Sequence, residues 1–172
     1  MNPRLLGAVE TQLAHLLKTT RLAAGGAALQ HGDTTVLLHC VAVAYYSLKL
    51  ARGLRLRCDQ RSLLRGALLH DYFLYDWHVP DPDRPLHGPH HPGIALQNAR
   101  QDVELTPREQ DIILHHMFPL NPKPPRSREA ILVCLVDKGC GVYETLGRNT
   151  YPALRRMLTR HAGGEKGDSH AM

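Results

Sequence analysis

Seven histidine and aspartate residues are the part of this sequence best suited to carry chemistry. They lie at separate points along the chain, several of them within apolar stretches: His39, His70, Asp71, His91, His115, His116 and Asp137. A buried imidazole or carboxylate is costly unless it is paired, hydrogen-bonded or bound to a metal. Neutral imidazole nitrogens and carboxylate oxygens together suit divalent transition metals, whose charge would stabilise the carboxylates. The sequence therefore predicts a centre with one or two divalent metals, chosen from Mn, Fe, Co, Ni and Zn.

Helices are predicted for all the elements that position these residues. Apolar spacing and capping signals predict them at 3–18, 35–52, 60–75, from Pro92 through Ala99, from the capping box at 106–109 to about 117, at 128–146 and at 151–160. Asp33 or Thr34 is the predicted N-cap of the second helix. No alternating strand pattern is visible, so the expected fold class is all-α. We expect one domain over residues 1–162 and a disordered tail over 163–172.

The predicted elements place the polar residues at helix ends or on buried faces. His39 lies inside the apolar central helix, and the adjacent pair His70-Asp71 lies towards the end of the third helix. His91 directly precedes Pro92, which is expected in the first turn of a helix. Asp137 interrupts the apolar run ILVCLVDKGC. These positions are typical of ligands that converge on one site from several helices.

The order of these residues resembles the HD-domain superfamily of metal-dependent phosphohydrolases. The core motif is His39, then His70-Asp71, then Asp137, and the resemblance covers about Asp33 to Leu146. The stretches HDYFLYDWH, LHGPHHPGIALQNA, ILHHMFPL and CLVDKGC are similar to a bacterial branch of small HD proteins. The resemblance implies a single helical HD-domain bundle around a central metal site.

The same resemblance implies a ligand set for two metals. The first metal would be held by His39, His70, Asp71 and Asp137, with Asp71 bridging to the second. His91 and His116 would complete the second site. His115 remains the alternative to His116, or a histidine that complements the dipole at a helix end.

The activity implied by the resemblance is hydrolysis of a phosphomonoester or phosphodiester, with a small, nucleotide-derived substrate. Asp71 would orient the attacking water, and Lys138 and Arg126 would steady charge on the phosphoryl oxygens. For Arg126, with its neighbours Lys123 and Arg128, two interpretations stay open: a phosphate clamp or a solvated basic loop. The aromatic residues Tyr72, Tyr75 and Trp77 either form a wall of the substrate site or pack around the HD turn.

Two departures from the family pattern concern the substrate and the leaving group. Many members continue the HD pair as HDIGK, but Leu74 stands where that lysine would fall. Water, Asp76 or His78 would then have to protonate the leaving group. The GYP element associated with cyclic dinucleotide hydrolysis is absent after His116, which disfavours a cyclic dinucleotide substrate.

Two other functions are compatible with the same residues. Some HD proteins with six ligands hold a mixed-valent di-iron site and oxidise their substrates with O₂. A non-catalytic, metal-stabilised module that binds a ligand is the third hypothesis.

Composition excludes several further classes. The net charge of +5 suits an anionic partner, but the basic residues are dispersed and no nucleic-acid-reading motif is present. The four cysteines lack CxxC spacing, which argues against a zinc-thiolate site or a disulfide framework. No apolar stretch approaches the roughly 20 residues of a membrane span, and no signal peptide is visible, so a cytoplasmic location without a membrane partner is expected.

A homodimer stays open, because the apolar C-terminal helix could pack internally or against a second copy.

Overall fold

Eight helices and one two-stranded hairpin form the part of the chain that the structure, a computed structural model, describes: residues 1–25, 28–76, 87–147 and 150–164. In chain order they are α1 (Pro3–Thr19), α2 (Leu22–Gly25), β1 (Leu29–His31), β2 (Thr34–Thr35), α3 (Val36–Gly53), α4 (Gln60–Leu69), α5 (His87–Asp102), α6 (Pro107–His115), α7 (Arg128–Leu146) and α8 (Pro152–Gly164). The all-α fold class is confirmed. None of the described helices combines the length and apolarity that crossing a membrane requires.

Helix α3 runs through the centre of the helical bundle, as its nearly continuous apolar sequence predicts. Its residues Val41 to Ala44 are fully buried, and the helix packs chiefly against α4 and α7. The N-cap is Thr35, whose hydroxyl accepts a hydrogen bond from the Leu38 amide, so the predicted cap at Asp33 or Thr34 was wrong. The Thr34 hydroxyl is instead buried against that of Thr150 at 2.7 Å, and the Asp33 carboxylate accepts from Arg155.

Helix α4 ends at Leu69, six residues before the predicted end at Tyr75. The side-chain amide of Asn98 donates to the carbonyls of Tyr72 and Phe73, which therefore need no helical partners. Leu74 adopts a positive φ of 61°, outside the right-handed helical region. The chain thus leaves the helix at the HD pair itself.

Helix α5 begins at His87, so Pro92 lies inside the helix instead of at its first turn. Proline has no amide hydrogen, and the bond that position 92 would otherwise donate to the carbonyl four residues earlier is missing. The prediction for the start of this helix was wrong, because the Pro- and Gly-rich sequence before Pro92 favours a loop over a helix.

The other predicted helices differ little from the structure in their boundaries, and the one-turn helix α2 was not predicted. Helix α6 has the predicted capping box, with Thr106 and Glu109 bonded reciprocally, and ends at His115. Helix α7 has the predicted bounds, and α8 extends to Gly164. Residues 165–172 of the predicted tail lie outside the described residues, and the single-domain prediction stays a prediction.

A short antiparallel hairpin, β1–β2, was not predicted. It occupies the segment between the first two predicted helices and the predicted start of the second, and strands of three and two residues are too short for an alternating pattern to be visible. Gly32 at its turn has a φ of 56°, and a Cβ there would lie 2.8 Å from the carbonyl oxygen of Glu144. The hairpin therefore approaches α7 at a point where only glycine fits.

The close contact of α4 with α6 yields a stability prediction. A Cβ on Gly66 would overlap Cδ1 of Ile112 and lie 3.0 Å from its Cβ and Cγ2, and this side chain is fully buried. We expect Gly66→Ala to lower the free energy of unfolding by about 1–3 kcal/mol through overpacking, measured by urea denaturation. Gly7→Ala, in α1, is the control, because a Cβ there meets nothing within 4 Å. An unchanged midpoint for Gly66→Ala would contradict the close helix packing.

Candidate metal centre

Asp71 lies at the centre of the predicted site, and its two carboxylate oxygens face different histidines. Oδ2 lies 3.5 Å from Nε2 of His70 and 3.9 Å from Nε2 of His39. Oδ1 lies 3.1 Å from Nε2 of His91 and 3.4 Å from Nε2 of His116. One carboxylate therefore separates two groups of imidazole nitrogens.

Asp137 completes the group on the Oδ2 side. Its Oδ1 lies 3.0 Å from Nε2 of His39 and 3.5 Å from Nε2 of His70. We call His39, His70, Asp71 and Asp137 the first cluster. Asp71, His91 and His116 form the second cluster, in which the two Nε2 atoms are 2.8 Å apart.

Five separate segments supply these side chains. His39 comes from α3, His91 from α5 and Asp137 from α7. His70 and His116 occupy the equivalent position in two helices, the C-caps of α4 and α6. Asp71 follows His70 directly, so the early end of α4 places it between the helices that carry the other residues.

Hydrogen bonds at the far side of the rings orient three of the histidines. Nδ1 of His70 bonds to the carbonyl of Ala67 and Nδ1 of His116 bonds to that of Ile113, both at 2.8 Å. A carbonyl can only accept, so Nδ1 carries a hydrogen in both rings, and in the neutral ring Nε2 has the lone pair that a metal needs. Nδ1 of His39 is 2.8 Å from a carboxylate oxygen of Glu144. Such outer bonds commonly fix the tautomer and direction of histidines that bind metals.

Some nitrogen and oxygen atoms of the two clusters lack hydrogen-bond partners in the described part of the chain and are available to bind a divalent cation. His70 Nε2 and Asp71 Oδ1 are buried and have no hydrogen-bond partner among the described residues. Nε2 of His116, which bears a lone pair, is directed towards Nε2 of His91 and a carboxylate oxygen. Three overlapping triplets each have ligand atoms within 4.8 Å of one another, and together they include all six residues of the two clusters. The residues present could therefore hold one or two metals.

The charges of the clusters shift the pKa values in opposite directions. Burial lowers the pKa of His39, but hydrogen bonds to Asp137 and Glu144 outweigh it and hold that pKa well above its ordinary value. Burial raises the pKa of the Asp137 carboxyl, yet the hydrogen bond to His39 and the positive charge of the nearby His70 imidazole bring it below its usual range. Burial is also the largest influence on His116, whose pKa it lowers. The first cluster attracts a positive charge, which a proton or a metal can supply.

Two residues at the site were not predicted from the sequence. Glu144 is fully buried, and Nε2 of Gln30 donates to Oδ2 of Asp71 at 2.6 Å. Glu144 lies seven residues after Asp137 on α7, a spacing that puts both on one helix face, and this was a usable signal. Gln30 belongs to the hairpin that was not predicted, so nothing in the sequence indicated it.

Glu144 should tune the affinity of the first cluster for a metal. We expect Glu144→Gln to weaken metal binding by about 10–100-fold, because the carboxylate that orients His39 and raises its basicity becomes a neutral amide. Competition with a chromophoric chelator would measure the change. Glu129→Gln is the matched control: Glu129 is buried on the same helix, but it accepts from the amide of Asp59. Equal affinities in both variants would contradict the role of Glu144.

The remaining predicted residues lie around the clusters in different ways. His115 is not in the clusters, since its Nδ1 pairs with Asp111 at 2.7 Å. Arg126 is exposed, and with His115 it lines an open cleft beside α6. Nζ of Lys138 donates to the carbonyl of His116 at 2.8 Å and to that of Cys134. Of the basic residues predicted for the site, Lys138 thus contacts a cluster residue: its side chain bonds to the backbone of His116.

The other residues that the sequence analysis named do not belong to the two clusters. The Tyr72 hydroxyl donates to Asp102, and burial with this bond raises its pKa to about 12, so Tyr72 packs within the fold. Tyr75 is half-buried and Asp76 is exposed. Lys123 and Arg128 are exposed, and Arg128 donates to the carbonyl of Arg57. Trp77 and His78 lie outside the described residues.

Comparison with known proteins gives one family. The family model of the HD domain matches residues 36–139, more than half of the chain. The match contains all residues of the two clusters. No curated protein and no solved structure matches the chain.

Proposed function

Because the chain belongs to the HD-domain family, we propose that it is a metal-dependent phosphohydrolase that cleaves a phosphomonoester or phosphodiester of a small, nucleotide-derived substrate. The observation that carries this proposal is Asp71, whose two oxygens face two separate groups of imidazole nitrogens. A carboxylate in this position suits a bridge between two divalent cations. Paired cations are a common device for displacement at phosphorus.

The proposed ligands are the residues of the two clusters. His39, His70, Asp71 and Asp137 would hold one divalent transition metal, and Asp71, His91 and His116 the other. When bound, such metals bind phosphoryl oxygens, neutralise their charge and make water a better nucleophile.

The protein's own residues supply position and charge. Gln30 and the surrounding histidines hold Asp71 in place, so that its carboxylate can orient the attacking water. Among the cluster side chains Asp137 is the most exposed, at 13%, and the substrate would approach from its side. Lys138 follows Asp137 on α7 and contributes a positive charge beside the second cluster. Arg126 lies in the cleft beside α6, where it would contact a distant part of a substrate.

Two neighbouring histidines provide a direct test. We expect His116→Ala to reduce the metal content of protein purified without chelator from two equivalents to one, and phosphate release to fall at least ~100-fold. His115→Ala is the matched control: its ring pairs with Asp111, so it should keep both metals and lose far less activity than His116→Ala. Elemental analysis and a panel of nucleotide phosphates with Mn²⁺ under nitrogen would measure the two quantities.

The outcomes separate the alternatives. Phosphate release under nitrogen supports hydrolysis and excludes a requirement for O₂. Metal-loaded protein that neither releases phosphate from nucleotide monoesters nor converts nucleotide diesters to monoesters would contradict the proposed activity. Equal loss in both histidine variants would contradict the assignment of His116.

A further inference from the structure

The outward face of α7 is apolar over about four turns. Four aliphatic side chains form a stripe along it: Ile131 (44% exposed), Leu135 (61%), Val142 (61%) and Leu146 (82%). Residues 131–146 are all described, and Lys138 is the one charged residue among the exposed positions in this range. Its Nζ is turned back to the carbonyls of His116 and Cys134. A solvent-facing helix normally presents polar residues on this side, and a contiguous apolar patch marks an interaction surface.

The stripe has a symmetric spacing along the helix. Ile131 and Leu146 are equally distant from a point between Lys138 and Gly139, and so are Leu135 and Val142. An antiparallel copy of the same helix, related by a twofold axis at this point, would place Ile131 opposite Leu146 and Leu135 opposite Val142. A surface that is complementary to itself in this way is what a twofold dimer requires.

A groove beside the stripe supplies the complementary shape. It has a volume of about 360 Å³, its lining is mainly apolar, and it is formed by Tyr46, Val136, Gly139, Cys140, Tyr143 and Tyr151. Side chains of one α7 could enter the groove of the other, as ridges enter grooves wherever helices pack.

Gly139, at the midpoint, lies in open space among the described residues. A Cβ there would meet nothing within 4 Å. Glycine inside a helix is less favourable than alanine, and the close approach of another helix would explain its presence. A second helix crossing at Gly139 would provide that approach.

We propose that α7 packs antiparallel against α7 of a second copy of this chain, with the twofold axis beside Gly139. The stripe and Tyr143 together expose apolar surface on the order of 350 Å². Since interfaces are about 60% apolar, a dimer built on this face would bury roughly 1,200 Å² in total, the lower limit for a specific complex. We therefore expect a dissociation constant in the micromolar range.

The first test measures mass against concentration. In sedimentation equilibrium, the full chain should shift from its monomer mass of 19.2 kDa towards twice that value as the concentration rises through the micromolar range. Leu135→Glu should raise the dissociation constant at least 100-fold. Leu54→Glu is the matched control, because Leu54 is equally exposed (59%) but lies at the end of α3, and it should change the constant by less than twofold.

The second test examines the crossing point and the direction of the helices. Gly139→Leu should raise the unfolding temperature of the dilute monomer, since the site is open and leucine favours helix, yet weaken the dimer at least tenfold. Ile131→Lys and Leu146→Glu should each weaken the dimer, and the double variant should recover most of the affinity, because only an antiparallel pair brings the two positions together.

Three results would overturn the proposal: a monomer at all concentrations, dimers of Leu135→Glu as stable as those of the unchanged chain, or no recovery in the double variant. If the chain is monomeric and Gly139→Leu destabilises it, the face is covered by a segment of its own chain. The metal content of Leu135→Glu should equal that of the unchanged chain, so this test is independent of the proposed activity.

Discussion

Replacing Asp71 with alanine is expected to abolish phosphate release and to prevent the chain from holding two metals. The side chain is 2% exposed, and its oxygens face the Nε2 atoms of both clusters. Without it, the first cluster keeps three of its proposed ligands, and the second keeps two imidazoles. Like charges held close together in a buried site repel strongly, so two cations without the shared carboxylate would not remain together.

The expected loss of activity is at least ~10⁴-fold, because both proposed metals and the orientation of the water depend on this one carboxylate. Phosphate release under saturating Mn²⁺ and elemental analysis would measure it, with circular dichroism to verify the fold. Asp71→Asn should lose almost as much, since it keeps the shape but removes the charge.

Asp33→Ala is the control for the removal of a carboxylate. Asp33 forms an ion pair with Arg155 on the surface, and such pairs contribute little. This variant should keep its activity and both metals. Two bound metals in Asp71→Ala would contradict the bridging role.

The helices that carry the site could be predicted because their sequences are long and strongly patterned. Helix α3 is apolar on nearly all sides, and α7 has a serine cap directly before it at Ser127. Within such segments a histidine or aspartate requires a physical explanation, since an unpaired polar group in the core is costly. For this reason the sequence alone indicates His39 and Asp137 as residues of a site.

Helical geometry shows that only one of His115 and His116 can face the metal site, but it does not show which one. Consecutive helical residues point about 100° apart, so only one of the two can face a given site. The structure places His116 in the second cluster and pairs His115 with Asp111 on another face. From the sequence, this choice rested on the resemblance of the MFPL segment, because helical geometry alone favours neither residue.

The features that escaped prediction depend on contacts between distant segments. Beyond the end of α4, the side-chain amide of Asn98 donates hydrogen bonds to the carbonyl groups of Tyr72 and Phe73. The hairpin that carries Gln30 is held by its approach to α7 at Gly32. Neither cause lies within the local sequence, so local patterns could not have revealed the outcome.

Removal of the metals is expected to lower the unfolding temperature by about 8–16 °C. A ligand that binds only the folded chain, at about a thousand times its dissociation constant, stabilises it by roughly 4 kcal/mol. For a chain of this size each kcal/mol corresponds to about 2–4 °C. Calorimetry of the metal-loaded protein, before and after chelation, would measure the difference.

This stabilisation should depend on pH in a direction that follows from His39. Burial lowers the pKa of His39, but the hydrogen bonds to Asp137 and Glu144 raise it by more than burial lowers it. In the metal-free fold this pKa therefore lies well above the ordinary value. A proton on His39 therefore stabilises the metal-free fold below about pH 6.5, and this contribution is lost as the pH rises through the raised folded pKa. The metal needs the neutral imidazole, so the proton competes with it up to that pKa.

The difference in unfolding temperature between the loaded and the metal-free protein should consequently increase from about pH 6 and continue to increase above about pH 6.5 before it becomes constant. Glu144→Gln removes one of the two carboxylates that raise the pKa of His39, so the plateau should begin at a lower pH in this variant. Glu129→Gln, which leaves His39 untouched, should begin its plateau at the same pH as the unchanged chain. A difference that is constant from about pH 6 upward would mean that no proton on the first cluster competes with the metal, and the electrostatic description of this site would then be wrong.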